Sequence, residues 1–133
     1  MTKRLLALAA CAVVAACNPM DPIGDLGGRV GTWTGAWSLS RNPELLSVQL
    51  TIEADGTVTG TIRNATTNVN GVINAHMSAS GQFDGTLDFE TGADFTVNGT
   101  ANVAPNDHLI GNFVQVDQQT TTMVTGTFDL TRM

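Results

Sequence analysis

Tyrosine is absent from this 133-residue chain, and lysine occurs once, at Lys3. There are two cysteines, Cys11 and Cys17, and two histidines, His76 and His108. So few thiols and imidazoles argue against a structural zinc site or a disulfide framework. No CxxC, HExxH or GxSxG pattern occurs, and no glycine loop precedes a helix as a phosphate cradle would. The spacing of Gly56 and Gly60 falls between strands instead. The reading is therefore not an enzyme, with no catalytic residue, no cofactor and no metal, and both histidines are expected in solvent. Long apolar runs are lacking too. The run from Leu5 to Ala16 is twelve residues, against about 20 for a helix that crosses a bilayer.

What is present begins with a targeting segment: Lys3 and Arg4, the apolar run, then "VAAC" ending at Cys17. Positive residues followed by a 7–15-residue apolar region read as a signal peptide. The ending is similar to a bacterial lipobox, in which small residues precede a cysteine. The resemblance implies that the Cys17 thiol is lipidated, that the chain is cut before it, and that the new amino terminus is acylated. "LAAC" at Cys11 matches as well, but leaves only Leu5 to Ala10 as the apolar region. The other reading is an ordinary secretory signal cut after an Ala-x-Ala-like site. Residues 1–16 are thus assigned as a lipoprotein signal peptide, 17–30 as a lipidated flexible tether and 31–133 as the folded domain. Asn18 stands where lipoproteins kept at the inner membrane carry aspartate, which by resemblance favours an outer-membrane address. Several acyl chains, at about 0.8 kcal/mol per buried methylene, hold a protein on a membrane where one does not.

Without Lys3 and Arg4, four arginines face twelve acids, a net charge of −8. Such a surface repels nucleic acid and anionic headgroups, so the expected membrane contact is the lipid. With Cys11 removed and Cys17 lipidated, no disulfide can form, and the core alone must hold the domain.

From Gly31 onward the hydrophobic period is two. The inward series includes Trp33, Gly35, Trp37 and Leu39; Leu46 to Ile52; Val58, Gly60 and Ile62; and Gly71 to Met77, taken at alternate positions. It continues through Phe83 to Phe89, Phe95 to Val103, Leu109 to Phe113 and Val124 to Leu130. Eight short strands, apolar on one face and threonine-rich on the other, predict an all-β, antiparallel, up-and-down barrel with the apolar face inside. "ADG" at Ala54–Gly56 predicts a three-residue hairpin loop that pairs Ile52 with Val58, and "PND" at Pro105–Asp107 pairs Val103 with Leu109. The recurring "VTGTI", "FDGTL", "VNGTA", "LIGNF" and "VTGTF" put glycine on the inward face. There it makes room for large neighbours: Gly60 against Leu50, Gly85 against Ala75, Gly99 against Phe113.

Two places could carry a function. Trp33 and Trp37, inward on the first strand, are core residues or the lining of a ligand mouth. "GTWTGAW" resembles the Gly-x-Trp openings of lipocalins and avidins, although later avidin-type ligand aromatics have no counterpart. The second place is acidic. Pairing Phe89 with Phe95 across "TGA" sets Glu90 opposite Asp94, with Asp84 and Asp88 on the same outer face. This is either a solvated face or a patch for calcium or a basic partner. From Ile73 onward, the Phe-x-Gly-x-apolar strands with "GNF" and "GTF" are similar to the barrel domains of transferrin-binding-protein-B-like surface lipoproteins. The family's Gly-Pro-Asn-Ala-type loop is replaced here by "VQVDQQTTTM", so its partner recognition is not carried over. The expected function is a lipid-anchored, non-enzymatic binding or structural module. The alternatives are a lipocalin-like carrier of a small apolar ligand and a periplasmic hydrolase inhibitor. "NATTNVN" and "DQQTTTM" are its candidate protruding loops.

Overall fold

The computed structural model describes residues 26–40 and 45–133; the signal peptide, Cys17 and the first part of the tether lie outside the described residues. After a single 3-10 turn at Gly27–Arg29 come eight strands: β1 (Gly31–Leu39), β2 (Leu45–Ile52), β3 (Thr57–Asn64) and β4 (Val69–Met77), then β5 (Gln82–Phe89), β6 (Asp94–Ala104), β7 (His108–Asp117) and β8 (Met123–Arg132). Each pairs antiparallel with the next, and β8 returns to β1 to close the barrel. An up-and-down order follows from connections too short for a crossover.

The alternation places the core inside. Trp33, Trp37, Leu46, Val48, Leu50, Ile52, Ile62 and Ile73 are buried, as are Leu87, Val97, Leu109, Phe113, Phe128 and Leu130. Thr34, Thr59, Thr61, Asn74 and Thr127 face out and are exposed. A membrane-spanning barrel has the reverse arrangement, with an apolar band outside. Eight strands enclose a space only wide enough for side chains, and here it is filled. Trp37 lies 4.5 Å from Phe113 and 5.9 Å from Phe128 between ring centroids, and Phe83 lies 6.0 Å from Phe128. Phe113 is admitted because both its lateral neighbours are glycines, Gly99 on β6 and Gly126 on β8. A Cβ at Gly99 would strike the Asn112 carbonyl, and one at Gly126 would come within 2.5 Å of the Phe113 ring.

The pairings Ile52↔Val58, Leu50↔Gly60, Gly85↔Ala75, Gly99↔Phe113 and Val103↔Leu109 are present as expected. The β5–β6 hairpin is a correction. Leu87 pairs with Phe95 and Asp88 with Asp94, so Phe89 does not pair with Phe95. The loop is Glu90–Thr91–Gly92, not "TGA", closed by Phe89 N–H to the Ala93 carbonyl at 3.0 Å. Gly92 takes the left-handed position with φ +93°, as Gly56 and Gly81 do in "ADG" and "ASG". All three turns put glycine third, where a three-residue loop needs positive φ. The shift is two residues, so the faces are kept while the partners change.

The segment after β6 also differs. β7 runs to Asp117, so Val114–Asp117 are strand and only residues 118–122 connect to β8. Asp117 Oδ1 accepts from the Gln119 and Thr120 amides at 2.8 and 3.2 Å. Asn64 Oδ1 does the same for Thr66 and Thr67. These side chains fold the two expected protruding loops into tight turns.

Leu26–Val30, placed in the tether by sequence, pack on the barrel. Leu26 is buried, and the Arg29 guanidinium donates to the Ala101 carbonyl at 2.7 Å. Arg132 donates to the carbonyls of Gly28 at 2.6 Å and Val30 at 2.8 Å. Val103, expected inside, is 43% exposed. It lies near the far end of β6, where its methyls flank Gly28.

Two stability outcomes follow. Gly99→Val should cost about 1–3 kcal/mol by overpacking, while Thr59→Val on the outer face is close to neutral. Leu26→Ala should cost about 2–5 kcal/mol, whereas a residue in a free tether would cost nothing. Denaturant melts of the three variants check both.

Candidate functional site

The two ends of the barrel are built differently. One end carries the turns 54–56, 79–81 and 105–107 and the segment Leu26–Val30; it is closed. Trp33 lies there, fully buried, its indole N–H donating to the Arg29 carbonyl at 2.9 Å. The Arg132 guanidinium sits over its ring at 4.3 Å, an attraction worth about 0.5–2 kcal/mol. Every face of Trp33 is thus occupied by its own chain. Trp37 is also buried and borders an apolar cavity of about 20 Å³ together with Leu50, Ile73, Met77 and Phe128. That volume is about one water, far below the 300–1,000 Å³ of ligand pockets. The Trp37 Nε1–H is buried and has no acceptor among the described residues.

Among the described residues, the other end is open. Leu39, Leu46, Val69, Phe89, Phe95 and Gln115 line a cleft of about 280 Å³, with Asn64, Thr67 and Thr91 at its edge. Phe89 and Phe95 meet edge to face at 5.8 Å and, with Leu39, are only partly buried. Gln115 is the buried polar residue of this core, 6% exposed, and its Oε1 has no donor among the described residues. It stands between Val97 on β6 and Val124 on β8. A buried carbonyl left unpaired costs roughly 1–3 kcal/mol, so this side chain is kept against stability. The sequence does hold a signal for it. In "GNFVQVD", Gln115 is in phase with inward Phe113, but a polar residue two short of a turn reads as loop.

The four acids do not form one patch. Asp84 stands opposite His76 and Asn98 on the outer face. A shallow groove of about 490 Å³ runs past it, its polar side chains His76, Ser78, Gln82, Asp84 and Asn98 all exposed. Glu90 stands in the turn beyond the β5–β6 pairing; its amide donates to the Asn70 carbonyl at 2.9 Å and its Oε2 accepts from the Asn70 amide at 2.6 Å. Asp88 and Asp94 face each other directly. Partial burial, with Asp88 and Asp117 nearby, pushes the Asp94 carboxyl above its usual range. No group of three or more potential metal ligands converges among the described residues. His108, expected in solvent, has its side chain 38% exposed and bonds Asp129 Oδ1 through Nδ1 at 2.7 Å.

Compared with protein-family models, with curated proteins and with solved structures, the chain matches none.

The acidic pair makes a pH-dependent forecast. A raised folded-state pKa means that the folded state holds the proton better than the unfolded chain does. Stability from this group therefore rises as pH falls through the folded pKa, and the gain is complete below the ordinary value of 3.8. Asp94→Asn should raise the melting temperature at pH 7, with the difference vanishing below that value. Glu90→Gln should give no such gain, because the carboxylate it replaces accepts a backbone amide. Melting curves across pH check both.

Proposed function

We propose that the protein is a lipid-anchored lipoprotein of the bacterial envelope, held at Cys17, whose barrel is a non-enzymatic binding module. The observation that carries the anchor is the order Lys3–Arg4, Leu5–Ala16, "VAAC". Asn18 favours the outer membrane, and the net charge of −8 after cleavage leaves lipid rather than a basic patch as the means of attachment.

Placement of the barrel follows from its entry point. Eight residues lie between Cys17 and Leu26, nine Cα-to-Cα steps that span at most about 32 Å. Leu26 packs on the closed end, which supports an orientation with that end toward the membrane and the open cleft away from it. The filled interior supports binding at this cleft over full enclosure of a ligand, as in a lipocalin-like carrier. The short Asx-capped turns favour it over a hydrolase inhibitor, which needs a projecting loop. The partner is a small molecule or a protein, not a nucleic acid.

Cells expressing the full chain and fed labelled palmitate test the anchor. Wild type and Cys11→Ser should carry label in the membrane fraction, and Cys17→Ser should carry none. Label on Cys17→Ser would overturn the assignment.

A further inference from the structure

We propose that the open end of the barrel binds a small, neutral, largely apolar molecule bearing one hydroxyl or N–H group, which donates to the Gln115 carbonyl as that buried side chain turns toward the cleft. This rests on the binding-module reading and supplies its site and ligand class. Two independent observations meet there. The first is the apolar lining: Leu39, Phe89 and Phe95 are packed against the core but remain partly open to the cleft. The second is Gln115, a lining residue that is 6% exposed, whose buried Oε1 has no donor among the described residues.

Among the described residues, Gln115 has no structural duty that would explain it. Neither adjacent turn uses its side chain; the nearer one is capped by Asp117. Its lateral neighbours Val97 and Val124 are apolar. A leucine would continue the inward series of Leu109 and Phe113 without an orphaned acceptor. An apolar cleft with one fixed polar group is the usual composition of a small-molecule site, the polar group setting orientation.

The ligand's charge follows from the lining, in which no side chain is ionised among the described residues. An ion entering it would lose hydration without gaining a counter-charge. Size follows from the cleft, whose 280 Å³ lies just under the usual range for ligand pockets.

N-phenyl-α-naphthylamine is a suitable probe: apolar, neutral, with one N–H, and fluorescent when shielded from water. A chain from residue 18 onward contains every strand of the barrel and no acyl chains into which the dye could partition. The anchor therefore plays no part in the result. The dye should bind that chain saturably, one per barrel. α-Phenoxynaphthalene has an ether in place of the N–H and should displace it roughly 3- to 10-fold more weakly, the worth of one neutral hydrogen bond. Anilinonaphthalenesulfonate, the same body with a sulfonate, should bind at least about tenfold more weakly, since its charge has no partner. Gln115→Leu should erase the preference for amine over ether and melt no lower than wild type. Absence of saturable binding, equal affinity for amine and ether in the wild type, or equal affinity for the sulfonate would each overturn the proposal. So would a Gln115→Leu protein that keeps the preference. If that variant does not fold, the amine–ether comparison on wild type still decides.

Discussion

Closing eight strands into a ring leaves an axis too narrow for a large side chain at every inward position. The rest of the molecule depends on how that crowding is relieved. Phe113 lies between Gly99 and Gly126, Phe128 beside Gly111, Leu50 beside Gly60 and Leu130 beside Gly35. Each glycine weakens its own strand by about 0.5–1 kcal/mol, and burial of the large side chain that fills its place more than offsets the loss. The Trp37, Phe113 and Phe128 cluster then blocks the middle of the barrel. Anything this protein holds must be held at an end or on the outside.

The ends divide the polar work between them. Arg29 and Arg132 satisfy backbone carbonyls around Leu26 and Trp33, and so seal one end with the chain's own atoms. These are among the few cations in an acidic chain, and both are spent on structure. At the other end the turns after β3 and β7 satisfy themselves through Asn64 and Asp117, and among the described residues the Gln115 Oε1 beneath them is left without a donor.

Most of the barrel was legible because three signals coincide. Period two sets the faces, the glycine-third turns set loop lengths, and the loop lengths set the register. Where a turn was misread, as with "TGA" for "ETG", the faces survived because the shift was even. The opposed acids became Asp88 and Asp94 instead of Glu90 and Asp94. What stayed hidden was tertiary. Nothing local in "DLGGRV" says that Leu26 will be covered, since its cover comes from strands far along the chain. Gln115 escaped for a different reason. Hydrophobic patterning finds core positions by their apolar residues, and so passes over the one inward position where the core is polar.

Among the strand pairings, β1 with β8 is unlike the rest. The others join neighbours in sequence through turns of a few residues, whereas Thr131 meets Thr34 across 97 residues. Seven hairpin contacts form with little loop entropy, and one ring closure carries the long-range cost. Met133 N–H still bonds the Thr32 carbonyl at 2.9 Å, so the two strands that close the ring also end side by side. Topologically the barrel is a circle cut at one arbitrary seam. A short linker across that seam, with a new opening at one of the glycine turns, would leave all eight pairings in place. It would make β1–β8 a local hairpin and turn a different pair into the slow step of folding.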